Sequence, residues 1–164
     1  GAIMRRLHAP VDSLACSEPL PGDGARREGP LPPIVVALFI VAHGLIHASF
    51  VSPAPPAKPG APRWPFDLAH SWALSRLGVD ASVTRAIGVA LVVAVLAGYV
   101  VAALGVLGIL SGSLFVAGIV VGSAASIVLL AMFFHPWLIL GLAIDAVLLW
   151  AVLVNGWHPG DAAL

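Results

Sequence analysis

Charge is what this 164-residue chain has least of. Eight Lys and Arg balance eight Asp and Glu, together 10% of residues, where soluble domains carry about 25%. With zero net charge there is no basic excess to neutralise phosphates, so nucleic acid is excluded as a partner. Cysteine is almost missing too. The single Cys16 rules out an intrachain disulfide and any metal site built from cysteines. Its setting, "DSLACSEP", is like a lipoprotein cleavage box, but no apolar run precedes it and a signal peptide is not expected. The chain also lacks a Gly-rich phosphate loop, a CxxC pair and a nucleophile placed beside a base. The "SGS" at Ser111 to Ser113 reads as a turn, which makes an enzyme the third choice of function.

What is present is apolar. Hydrophobic residues make up 60% of the chain and the mean hydropathy is +1.02, a membrane composition with room for one domain. Residues 1–32, with "EPLPGDGARREGPLPP", are a polar Pro- and Gly-rich tail that cannot bury a core and is expected to be disordered alone. Order in such a tail would point to a partner surface that holds it. The opening "GAIM" offers Met4 as a candidate start.

Four hydrophobic runs follow. The first, residues 34–52, "IVVALFIVAHGLIHASFVS", approaches the roughly 20 residues that cross a hydrocarbon core of about 30 Å. Pro32 and Pro33 suit its start, where the first turn has no use for their missing N–H groups. The link "PAPPAKPGAPRWP" favours extended polyproline conformations. In "WPFDLAHSWALSRLG" the pattern predicts a helix over 67–77. Leu68, Ala69, Trp72 and Ala73 share one of its faces, Asp67 is early, Arg76 late, and Gly78 is the stop. It should lie among lipid headgroups. Asp80 is a good N-cap for a second span over 83–106, and a third covers 114–134. His135 and Pro136 force a corner into a fourth over 137–154, and residues 156–164 form a polar tail. Trp64, Trp72, Trp137 and Trp157 are candidate interfacial anchors.

The expected fold is therefore an all-α integral membrane bundle of four transmembrane helices within residues 33–155, bathed in lipid, with a short interfacial helix between spans one and two. Orientation stays open. Arg5, Arg6, Arg26 and Arg27 on one side nearly tie with Lys58, Arg63 and Arg76 on the other, with Arg85 near the start of span two.

Helices in membranes associate by close backbone approach and hydrogen bonds, because lipid tails are as apolar as leucine. Ala90, Ala94, Gly98 and Ala102 recur every four residues in the second span, and Gly118, Gly122 and Ser126 do so in the third. These stripes predict tight packing of the two spans against each other or against a partner.

Within "VAHGLIHASFV", His43 and His47 are neighbours on one helical face. The fourth span carries Asp145 in "LGLAIDAVLLW". His43 lies about nine residues before the end of its span and Asp145 about nine beyond the corner, so both sit roughly 13 Å below the same surface at 1.5 Å per residue. Span count alone puts His47, His70, His135 and Asp67 on that side too. An aspartate at the bilayer centre costs about 2.5–3.5 kcal/mol on insertion scales and turns inward to a partner, naturally His43. Three uses stay open: a structural Asp–His pair, a ligand set for a transition metal such as zinc, copper or iron, and a proton relay. Haem fits less well. Histidines on adjacent turns of one helix cannot both be axial ligands, and His135 is the only candidate opposite them. Tyr99 reads as a packing residue or interface anchor.

The stretches "AHGLIHASFVSPAPPAKPGAPRWPFDLAHSW" and "FFHPWLILGLAIDAVLLW" resemble a family of uncharacterised small four-span bacterial membrane proteins of high-GC, actinobacterial type, with an HGxIH element in the first span. The resemblance covers most of residues 34–158. It implies four spans in the bacterial cytoplasmic (inner) membrane and brings no activity onto His43, His47, His135 or Asp145. Two functions are then expected. The leading one is a small accessory or structural subunit bound to other subunits of a larger membrane complex. Its rival, from a different class, is a metal-binding or proton- or ion-translocating protein that uses the His/Asp cluster.

Overall fold

The structure, a computed structural model, describes residues 31–53, 55–56, 60 and 64–158. The tail 1–30 with Met4, Arg5, Arg6, Cys16, Arg26 and Arg27 lies outside the described residues, as do Lys58, Arg63 and residues 159–164. The comparison of basic residues across the membrane and the expectation of a partner-held tail therefore also fall outside them.

Among the described residues the chain is all helix. Helix α1, Pro33–Ile46, runs on as a 3-10 segment, His47–Val51. Helix α2 is Trp72–Arg76, α3 is Ala81–Val106 and α4 is Gly112–Met132; a 3-10 turn, Pro136–Leu138, leads into α5, Ile139–Leu153. Four stretches are long and apolar enough to cross a membrane: Pro33–Val51, Ala81–Val106, Gly112–Met132 and Pro136–Leu153. The protein is a four-span bundle of membrane type with a short helix between spans one and two.

Local chemistry explains the ends. Pro32 precedes the first turn of α1, where no N–H is missed. Asp80 caps α3 by accepting from the Ser82 N–H at 2.7 Å and the Ser82 hydroxyl at 2.6 Å. The Ser82 hydroxyl, then its N–H, hold the exposed Asp80 carboxyl below the ordinary carboxylate range. This cap is at full strength above the ordinary pKa of an aspartate and weakens as pH falls through the lowered one. At the corner before span four, the His135 ring accepts from the Trp137 N–H at 3.3 Å.

The short helix differs from expectation. Instead of 67–77 it covers only Trp72–Arg76. The Asp67 carboxylate accepts from the Ala69 N–H at 2.8 Å, a side-chain turn that competes with helix, and Ser71 takes the N-cap by accepting from the Leu74 N–H. Gly78, at φ 70°, ends the turn in the left-handed conformation glycine tolerates. Leu68, Ser71 and Leu74 are buried here, while Trp72 is exposed. Trp72 is tied down by its indole N–H, which donates to the Ala131 carbonyl at 2.7 Å, and by the Arg76 guanidinium over its ring.

Helices α3 and α4 form the rigid centre. A Cβ added to Gly98 would lie 2.5 Å from the Gly122 nitrogen and 2.7 Å from its Cα; one on Gly118 would lie 2.7 Å from both the Ala102 nitrogen and the Gly98 carbonyl oxygen. The two backbones touch through Gly98, Ala102, Gly118 and Gly122. The seam is shorter than the stripes suggest, because Ala90 is exposed and Ala94 half-buried. Helix α1 packs on α3 and α5 on α4. Phe50, Val92, Leu129, Leu130, Phe133 and Leu138 fill the end of the bundle nearest the 52–80 connection. Ile40, Ala102, Val106, Phe115, Ile119 and Val152 fill the far end, where the Trp157 ring meets Phe115. Trp64 and the exposed Trp137 lie with Trp72 at the connection end.

The seam generates a test. Gly98→Val forces a side chain into backbone and should destabilise the bundle by about 3 kcal/mol, the upper range for overpacking. Ala90→Val should stay within about 0.5 kcal/mol of the parent. Thermal unfolding in detergent followed by circular dichroism distinguishes the two, and equal effects would remove the seam from its central role.

Candidate functional site: a buried polar chain across four spans

Between the two apolar ends lies a cluster of polar side chains, each supplied by a different turn of helix. His43 sits on α1 and His47 one turn later, their rings perpendicular with centroids 5.4 Å apart. A backbone carbonyl only accepts, so His47 Nδ1, 3.2 Å from the carbonyl oxygen of His43, carries a hydrogen and donates it. His47 Nε2 then lies 2.7 Å from the Ser126 hydroxyl oxygen on α4. That oxygen lies 2.5 Å from Asp145 Oδ2 on α5.

The other carboxylate oxygen is used as fully. Asp145 Oδ1 accepts from His43 Nε2–H at 2.8 Å and from the Tyr99 hydroxyl of α3. Tyr99 is in turn 3.1 Å from the Ser123 hydroxyl of α4. Asp145, Ser123 and Ser126 have no exposed surface, and His43, His47 and Tyr99 are buried. The result is one unbroken chain of hydrogen bonds, His47–Ser126–Asp145–Tyr99–Ser123, with His43 as a branch, touching all four spans.

Its position has a direction. His47 and Ser126 lie closest to the connection end, while Ser123 and Tyr99 lie deepest. Beyond them the core is apolar, with Ile40, Ala102, Phe115 and Ile119. On the near side, His43 and His47 line a cavity of about 140 Å³ between the first and fourth spans, which continues past Gly141 and Ile144 to Phe66 and Trp137. The polar chain borders this cavity at His43 and His47 and gives way to apolar core beyond Tyr99 and Ser123.

The remaining expected site residues stay apart. The His70 ring is exposed and pairs with Asp67 Oδ2 at 2.9 Å. His135 is engaged at the corner and contacts the Trp137 ring. Among the described residues no group of three or more His, Cys, Asp or Glu is placed to hold a metal ion. The Nε2 atoms of His43 and His47 are turned to different partners, Asp145 and Ser126, so they do not converge on a common point. His135, the only candidate for a second haem ligand, is not opposite them.

Two members of the chain were not foreseen. Tyr99, read as packing, donates to Asp145, and Ser123 was not singled out. Ser126, read as part of a packing stripe, instead turns its hydroxyl to His47 and Asp145. The available signals were slight: Tyr99 is the only tyrosine, and Ser123 and Ser126 are three residues apart, on one helix face. No family model, curated protein or solved structure matches the chain.

Removal of single members should cost stability in a definite order. Asp145→Ala strands Tyr99, Ser126 and His43 without their acceptor, at about 1–3 kcal/mol for each group left unsatisfied. Tyr99→Phe removes one donor and leaves Asp145 its other partners, so about 1 kcal/mol is expected. Thermal unfolding in detergent should rank Asp145→Ala well below Tyr99→Phe; the reverse order would break the cluster's assignment.

Proposed function

We propose that this chain is a proton-translocating membrane protein of the bacterial cytoplasmic membrane, using the buried His/Asp cluster as its relay. One observation carries the reading: the unbroken run of buried hydrogen-bonding side chains from His47 to Ser123. A structural role alone is a weak reason for such a run. Hydrogen bonds between spans average about 0.6 kcal/mol, and ionisable groups inside membranes mark proton or substrate paths by default. The metal half of the rival reading draws no support from ligand geometry, because no convergent set of three donors exists among the described residues.

The apolar far end gives the relay no continuation beyond Tyr99 and Ser123. Passage across the membrane then requires the far end to open. The cleft between spans one and four supports that, because α1 and α5 pack chiefly on α3 and α4.

The reading of an accessory subunit in a larger complex is second. The tail on which it partly rested is outside the described residues, and the glycine stripes are spent inside the bundle. What favours it is the same cleft, together with the exposed apolar face of α5 at Ile139, Leu140, Val147 and Trp150, which offers other membrane subunits a place to lie.

Purified protein in liposomes loaded with a pH-sensitive dye decides between them. Under an imposed potential, parent vesicles should acidify faster than protein-free vesicles. Asp145→Asn should slow this by about a hundredfold, the lower end of what loss of a proton-transfer group costs. Parent vesicles that behave like empty ones, or an Asp145→Asn protein that conducts like the parent, would sink the reading.

A further inference from the structure

We infer that the cluster binds one proton more than neutral histidines and an ionised aspartate would hold, and that this proton is shared between His47 and Asp145 through Ser126. The inference deepens the proton-carrying reading and rests on the same cluster. It follows from counting hydrogens. The three contacts His47 Nδ1 to the His43 carbonyl, His47 Nε2 to Ser126 Oγ, and Ser126 Oγ to Asp145 Oδ2 each need one hydrogen between the two heavy atoms. The Nδ1 hydrogen of a neutral His47 serves the first and the Ser126 hydroxyl serves one of the other two. One contact is left without a hydrogen.

Only two atoms can supply it. If His47 Nε2 carries the proton, His47 is an imidazolium that donates to Ser126, and Ser126 donates to an ionised Asp145. If Asp145 Oδ2 carries it, the acid donates to Ser126, and Ser126 donates to a neutral His47. Oδ1 is no alternative, since it takes part in neither Ser126 contact; its partners are His43 Nε2 and the Tyr99 hydroxyl. Turning the His47 ring over would set carbon against both of its partners and lose two hydrogen bonds.

Charge gives the same answer independently. The titratable groups facing Asp145 are His43 and His47 from α1 and Tyr99 from α3; α4 contributes only Ser123 and Ser126. With all of these neutral, an ionised Asp145 would leave a net negative charge with no exposed surface inside the bundle, the arrangement a low-dielectric interior disfavours most strongly. One added proton makes the cluster neutral in either arrangement.

The two arrangements interconvert in one balanced step. The N–H bond of His47 Nε2 breaks as Ser126 Oγ takes that proton, and the original Ser126 O–H bond breaks as its proton bonds to Asp145 Oδ2. An imidazolium–carboxylate pair becomes an imidazole and a carboxylic acid, and Ser126 ends unchanged. The proton thereby moves from the residue nearest the connection face to the carboxyl group that also holds spans two and four together.

Infrared spectra and ¹⁵N NMR of full-length protein in lipid test this at about pH 8, more than a unit above the ordinary histidine pKa of ~6.5. Either a protonated-carboxyl C=O band that disappears in Asp145→Asn, or a His47 ring with both nitrogens protonated, is the expected result. If Asp145→Asn does not fold, ¹³C labelling of aspartate in the parent assigns the band, since Asp145 is the one aspartate inside a span. Ser126→Ala should abolish the coupling, leaving the position of the proton insensitive to replacement of His47 by Gln. An ionised Asp145 beside a singly protonated His47 overturns the inference. A chain that shows the shared proton yet moves none across vesicles would refute translocation and leave this site standing.

Discussion

A carboxyl group in hydrocarbon has to bring its own solvent, and the arrangement of this bundle follows from how Asp145 is solvated. Water is excluded at its depth, so the protein must provide every hydrogen-bond partner. His43 and Tyr99 serve one oxygen and Ser126 the other. These partners come from three other helices, so the rotation of each span about its axis is restricted by one residue on the fourth. The same partners bring their own requirements: Tyr99 and Ser126 recruit Ser123 and His47. A single intramembrane aspartate thus organises five other side chains.

The polar layer and the glycine seam divide the work between them. Gly98, Ala102, Gly118 and Gly122 let α3 and α4 touch at the backbone, and this contact depends on shape alone. It presents Tyr99, Ser123 and Ser126 on a fixed surface. Spans one and four are held differently. They pack on that central pair, and the His43–Asp145 bond joins them directly beside a cleft of about 140 Å³. The α3–α4 pair is the frame on which spans one and four pack.

How much of this was legible in the sequence depended on whether a feature is local. Helix ends were readable, because caps and breakers act within a few residues: Pro32, Asp80, Gly78 and the His135–Pro136 corner all stand where helices begin or end. The meeting of His43 with Asp145 was readable from depth, since span count and 1.5 Å per residue place both at one level. The short helix was overread because its apolar spacing outweighed two side-chain turns, at Asp67 and Ser71. Tyr99 and Ser123 were out of reach for a different reason. Whether a residue on an apolar helix faces lipid or core depends on how that helix is rotated against its neighbours, and the near-uniform hydrophobicity of α3 and α4 carries no such signal. Ser126 shows the same gap from the other side: it continues the Gly118–Gly122 spacing, yet its hydroxyl belongs to the polar layer.

The asymmetry of the polar layer limits which mechanisms fit. The layer is graded in depth: it runs from His47 near the connection end to Tyr99 and Ser123 near the middle, and stops against Ile40, Ile119 and Phe115. If the layer is the proposed relay, a proton arriving by way of His47 reaches Asp145 and stops there, against the apolar far end. On the proposed reading this is the useful property. A path open at both ends would dissipate a gradient, whereas this one ends on the carboxyl group that joins spans two and four. Coupling between charge and helix packing then needs no further device, because Asp145 is both the last proton acceptor and the residue around which the helices are arranged.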